Sequence, residues 1–175
     1  MTTRHGHRWL IPLFAAAVVA GCSGPSPHET SRTSTPSTTD PIERNALAAY
    51  EEFWTVTDAA FAAPGSQDWT SRTREVATGQ ALQALDRDIA NYSGVPAHTE
   101  GTVSRAPKVA TVAAERVAIV DCVDISGSRL VSDDDGQVLD DLANRVPRYL
   151  YRAEVIPRGD RWVVDRTAPS LAEPC

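Results

Sequence analysis

Lysine is almost missing from this chain: Lys108 is the only one, and every other cation outside the histidines is an arginine. Histidine is scarce too, and beyond His28 only His98 remains. A metal site built on imidazole therefore has too few ligands in the folded part. Phosphate-loop, zinc-protease and redox signatures are absent: there is no Gly-rich loop, no His-Glu-x-x-His and no Cys-x-x-Cys. Ser126-Gly127-Ser128 lacks the Gly-x-Ser-x-Gly frame of a nucleophile elbow. The acidic run Asp133-Asp134-Asp135-Gly136 lacks the spacing and terminal Glu of a calcium loop, and reads as an acidic turn. Excess negative charge, -6 overall, argues against nucleic acid as a partner and against a polybasic clamp on anionic lipid. No metal and no cofactor is expected.

What is present begins with one apolar run, Trp9 to Ala20, preceded by Arg4 and Arg8 and closed by Val19-Ala20-Gly21-Cys22. The run is short for a membrane span, and small residues precede the cysteine. This resembles a bacterial lipoprotein signal peptide over residues 1–21. The resemblance implies cleavage before Cys22, a diacylglycerol on its thiol, and an extracytoplasmic location at the cell membrane. Removing Arg4 and Arg8 leaves the mature chain still more acidic, so membrane residence would rest on acyl chains at about 0.8 kcal/mol per buried CH₂. Residues 22–40, rich in Ser, Thr and Pro, contain nothing able to seed a core and read as a solvated tether reaching about 25 Å.

The other two cysteines, Cys122 and Cys175, are expected to form one disulfide in an oxidising compartment. The loop would hold about 53 residues and stabilise by roughly 4 kcal/mol in the chain-entropy account. A metal pair or a reactive thiol is the alternative.

The folded domain is expected over 41–175. Asp40 can cap a helix with Pro41 in its first turn and Glu43 in capping-box position. Leu47, Tyr50, Trp54 and Phe61 keep to one helical face, and Ala63-Pro64-Gly65 stops the helix. A short helix follows from about Asp68 to Val76. Leu82, Leu85, Ile89 and Tyr92 then stripe a third helix that ends at Asn91–Gly94. From His98 the period changes to two. Thr99–Glu115 reads as one long or broken strand interrupted at Ala106-Pro107, and Val117–Ile125 as a central strand. Arg129–Ser132 and Gln137–Asp140 could pair as a hairpin. Val146–Ile156 follows with Tyr149, Tyr151, Ala153 and Val155 on one face, and then Arg161–Asp165. The expected architecture is α+β: three helices on a curved antiparallel sheet of three to four main strands.

A long first helix with Phe53-Trp54, two shorter helices, Val-Asp-Cys-Val-Asp on a strand and a cysteine near residue 175 resemble small actinobacterial lipoproteins with an NTF2-like, cone-shaped domain. An Arg-rich, Lys-poor composition suits a G+C-rich actinobacterial genome. The resemblance implies a fold with a cavity between helix and sheet, and no particular activity. Tyr50, Trp54, Trp69, Tyr92, Tyr149 and Tyr151 are the candidate cavity-lining residues, although aromatics at helical period more often form core. The expected role is a non-enzymatic binding module for a small apolar ligand or an envelope protein partner. The enzyme alternative, an isomerase or hydrolase type, would use Asp121 or Asp124 as base. Strand alternation allows only one of the two acids inside, and His98 falls in the loop before the sheet with no obvious partner. A third alternative is a structural spacer with a filled cone.

Overall fold

The computed structural model describes residues 40–113 and 115–175. The expected signal peptide, the expected lipidation site Cys22 and nearly all of the expected tether lie outside the described residues. Helix α1 runs Pro41–Ala62, α2 Thr70–Val76 and α3 Gly79–Gly94. Asp40 caps α1, its carboxylate accepting the Ile42 N–H at 2.8 Å, and Pro41 sits where no N–H is needed.

Six strands follow: β1 (Ala97–Gly101), β2 (Lys108–Ala113), β3 (Arg116–Asp124), β4 (Ser128–Ser132), β5 (Arg148–Arg158) and β6 (Arg161–Ser170). They form two antiparallel sheets rather than one meander. The larger has the order β2-β3-β5-β6, and β1 pairs with β4 in a separate ribbon. The expected Thr99–Glu115 strand is thus broken at residues 102–107, and its halves join different sheets. The expected 129–140 hairpin is reduced to one bridge, Val131 to Val138, because β4 takes β1 as its main partner. Strand β6 is longer than its apolar run suggests. Its second half pairs with the start of β5, as far as Ser170 opposite Leu150.

The core lies between the helices and one face of the larger sheet. Alternation along β3 buries Val117, Ile119, Asp121 and Val123, and β5 contributes Tyr151, Ala153 and Val155 to the same side. Ala46, Tyr50, Phe53, Val56 and Ala60 of α1 pack on them with Ala81, Leu85 and Ile89 of α3. The buried face of α1 is therefore centred beside the stripe expected from Leu47, Trp54 and Phe61, which are only half-buried. A bulge between Glu154 and Val155, opposite Asp165, adds local twist to the β5–β6 pair.

The crossover from β1 to β2 is pinned residue by residue. Ser104 exchanges backbone hydrogen bonds with Asp124, Arg105 pairs with Asp58 of α1, and the Ala106 N–H donates to the Asp121 carboxylate. On the other face of β3, Cys122 is bonded to Cys175 with 5.8 Å between Cα atoms. The tail is also held by the Leu150 N–H donating to the Glu173 carbonyl and by the Arg152–Glu173 pair.

Candidate functional site

Asp121 is fully buried on the inner face of β3. Its two oxygens accept the Tyr50 hydroxyl at 2.9 Å and the Ala106 N–H at 2.6 Å. Burial pushes the Tyr50 hydroxyl far above the ordinary tyrosine range, so it stays a donor. The Trp54 indole N–H lies toward the Tyr50 oxygen and opposes that push, but it misses hydrogen-bond geometry. Tyr50 and Asp121 line neither of the two cavities described next. Tyr50 is a core residue whose polar end fastens helix to sheet, and it also borders a separate pocket of about 220 Å³ beside Trp54, Asp58 and Arg105.

Asp124 faces the opposite side, as alternation requires. It accepts from the Ser126 N–H at 2.9 Å and pairs with Arg148 at 3.6 Å. The Ser126 contacts hold its carboxyl below the usual carboxylate range. His98 is not without partners, contrary to expectation. Its Nδ1 lies 2.5 Å from Asp133 and its Nε2 lies 3.5 Å from Glu100. The Asp133 hydrogen bond raises its pKa above the ordinary 6.5. Neither residue forms a general-base constellation with Asp121. Among the described residues no cluster of His, Cys, Asp or Glu is placed to hold a metal ion.

Four of the six aromatics converge elsewhere. A cavity of about 240 Å³ opens between α1, the end of α3 and the small ribbon, walled by Trp54, Phe61, Tyr92, Val123, Leu130 and Tyr149. A second, of about 270 Å³, lies between α1, α3 and β5, where Phe53, Leu85 and Tyr151 join Trp54, Phe61 and Tyr149. The two thus share three aromatic walls. Trp54 is the hub: its ring makes edge contacts with Phe53 at 5.2 Å and Tyr151 at 5.0 Å, while Phe61 and Tyr92 pair at 4.7 Å. Burial raises the hydroxyl pKa of Tyr92 and Tyr149, and that of Tyr151 to about 12. Trp69 stands apart: its indole N–H donates to the Ala63 carbonyl at 3.3 Å beyond the end of α1.

The polar part of the first cavity escaped the sequence reading. Arg105 forms a two-pronged pair with Asp58, both at 2.7 Å, and its guanidinium lies 4.1 Å from the centre of the Trp54 ring. Arg145 pairs with Asp140 at 3.0 Å and donates to the carbonyls of Ile125 and Ser128. Asp58 follows Trp54 by four residues, one turn along the same flank, and that spacing was the available signal. Nothing local marks Arg105.

No family model and no curated protein matches the chain. Among solved structures, it is similar to the intermembrane space region of the chloroplast protein ARC6. The TM-score is 0.54 at 16% identity, over 73% of this chain and 95% of that one. At that identity the likeness shows a shared fold alone. The protein Kfla4162 from Kribbella flavida gives 0.44 at 14% identity, covering 73% of this chain and 90% of the other. The design titled Rd1NTF2_04 with long sheet gives 0.37 at 13%, covering 71% and 99%. The latter two superpose too loosely to bear on this chain. Three helices with antiparallel sheets are compatible with an NTF2-like arrangement.

Proposed function

We propose that this protein is a lipid-anchored, extracytoplasmic binding module whose NTF2-like cone holds a small apolar molecule. The observation that carries the reading is the pair of aromatic-walled cavities sharing Trp54, Phe61 and Tyr149. Concave, mostly apolar sites with a few polar groups are the usual form of a small-molecule site. Two features weigh against the enzyme alternative with an aspartate base. Asp121 is spent on Tyr50 and Ala106 away from both cavities, and Asp124 is on the far face. A filled spacer would not leave this space among its aromatic rings.

Native mass spectrometry of the purified protein, with and without added apolar fluorophore, tests the reading. The expected result is a bound adduct that Trp54→Ala weakens about ten-fold, the order of one lost aromatic wall. Absence of any adduct, or an adduct indifferent to Trp54, overturns it. The anchor is tested separately by fractionating cells that express Cys22→Ser. Release from the membrane is expected, and unchanged retention refutes the tether.

A further inference from the structure

Resting on that cavity reading, we propose that the ligand is uncharged, apolar over most of its surface, and carries a hydroxyl or carbonyl oxygen. The inference comes from how the charges lining the first cavity are already committed. Its cations are Arg105, Arg129 and Arg145, and its anions are Asp58 and Asp140. Arg105 spends both terminal nitrogens on Asp58. Arg145 is used by Asp140 and two backbone carbonyls. Arg129, at the exposed rim, pairs with Glu100 at 2.7 Å.

A carboxylate or phosphate entering this space would have to displace one of these acids or sit beside them unpaired, and buried unpaired charge is strongly disfavoured. An ammonium fares no better. The face of Trp54 that would attract a cation is covered by the Arg105 guanidinium, and both acids already hold arginines. A charged ligand of either sign thus meets groups whose ionic partners are already in place.

Four polar groups remain open. The Trp54 indole N–H and the Arg105 Nε–H, both on residues that line the cavity, are buried donors with no hydrogen-bond partner among the described residues. The hydroxyls of Tyr92 and Tyr149, both on the cavity wall, make no hydrogen bond to protein among the described residues. Their raised pKa keeps them neutral, so each can donate to or accept from an oxygen on the ligand. Around them the Phe61–Tyr92 pair and the Trp54 ring offer flat apolar walls. An uncharged molecule with one oxygen function leaves every ion pair intact and gives the tyrosines a partner.

The test is a set of probes with one skeleton: naphthalene, naphthol, naphthoate and naphthylmethylammonium, titrated into the purified protein at neutral pH by calorimetry. Naphthol is expected to bind at least about ten-fold more tightly than either ion. Tyr149→Phe and Tyr92→Phe are expected to weaken naphthol by about five-fold each, the size of one hydrogen bond, and to leave naphthalene unchanged. Asp58→Asn, which strips Arg105 of its counter-charge, is expected to improve naphthoate binding by about ten-fold. If naphthoate or the ammonium matches naphthol in the unaltered protein, the inference is overturned while the cavity reading stands. If no probe binds, naphthalene included, both are overturned.

Discussion

Replacing Asp121 with alanine removes one acceptor from two buried donors, the Tyr50 hydroxyl and the Ala106 N–H. Hydrogen bonds to a charged group contribute about 1.5–3 kcal/mol each, and an orphaned buried donor costs about 1–3 kcal/mol. The variant should therefore lose roughly 3–6 kcal/mol, a large part of the ~5–15 kcal/mol typical of a domain. With a urea slope of ~1–3 kcal/mol per molar, the unfolding midpoint should fall by about 1 M or more at unchanged slope. Tyr50→Phe alone leaves Asp121 with one partner fewer and should cost about 1–3 kcal/mol. In the Asp121→Ala background, however, it deletes an orphan and should cost far less. The double-mutant cycle is thus expected to show coupling of about 1–3 kcal/mol. Strictly additive losses, or an Asp121→Ala variant within about 1 kcal/mol of the parent, would refute the idea that this pair is a structural strut. A variant of parental stability that no longer binds ligand would instead return Asp121 to the list of site residues.

Three further outcomes follow from the same structure. Cys175→Ser opens a loop with a sequence separation of 53 and should lower stability by about 2–4 kcal/mol, read in urea with and without reductant. Gly101 has φ +87° and a Cβ there would lie 2.1 Å from the Gly127 carbonyl oxygen, whereas Gly159 has φ +66° and open space. Both alanine variants carry about 1–3 kcal/mol of backbone strain, but Gly101→Ala must also displace backbone and should melt clearly lower; equal melting temperatures would refute the close approach. His98 has a pKa raised in the folded protein by Asp133, with Glu100 assisting. Its stabilising contribution is therefore complete below the unfolded value near 6.5 and disappears as pH climbs through the folded one. His98→Asn should lower the melting temperature at about pH 5 and leave it unchanged at about pH 9, and a pH-independent loss would contradict that assignment.

How much of this was legible depended on whether the controlling interaction is local. Asp40-Pro41 marked the start of α1 and Ala63-Pro64-Gly65 its end because capping and helix termination are decided within a turn. Alternation placed Tyr149, Tyr151, Ala153 and Val155 on one face of β5, and separated Asp121 from Asp124, for the same reason. The disulfide was reached by setting Cys22 aside as the expected anchor, which left two thiols to pair. Pairing between strands was another matter. Nothing within Ala97–Gly101 says that it meets Ser128–Ser132 rather than continuing into Lys108–Ala113. The choice depends on the whole sheet. The same limit hid the site: Asp58 and Arg105 are 47 residues apart with no local pattern to join them, and His98 reaches Asp133 across 35. Trp69 shows the converse error, an aromatic whose spacing suggested the cavity but whose indole serves the end of α1.

The crossover at residues 104–106 carries an implication for kinetics. Three consecutive residues grip β3 and α1 by three separate attachments, so this segment behaves as a rivet that holds the Arg105 side of the first cavity in place. For an uncharged ligand, loosening the rivet should hasten entry and exit together and leave the equilibrium nearly where it was. Stopped-flow traces would register such a change where a titration at rest would miss it.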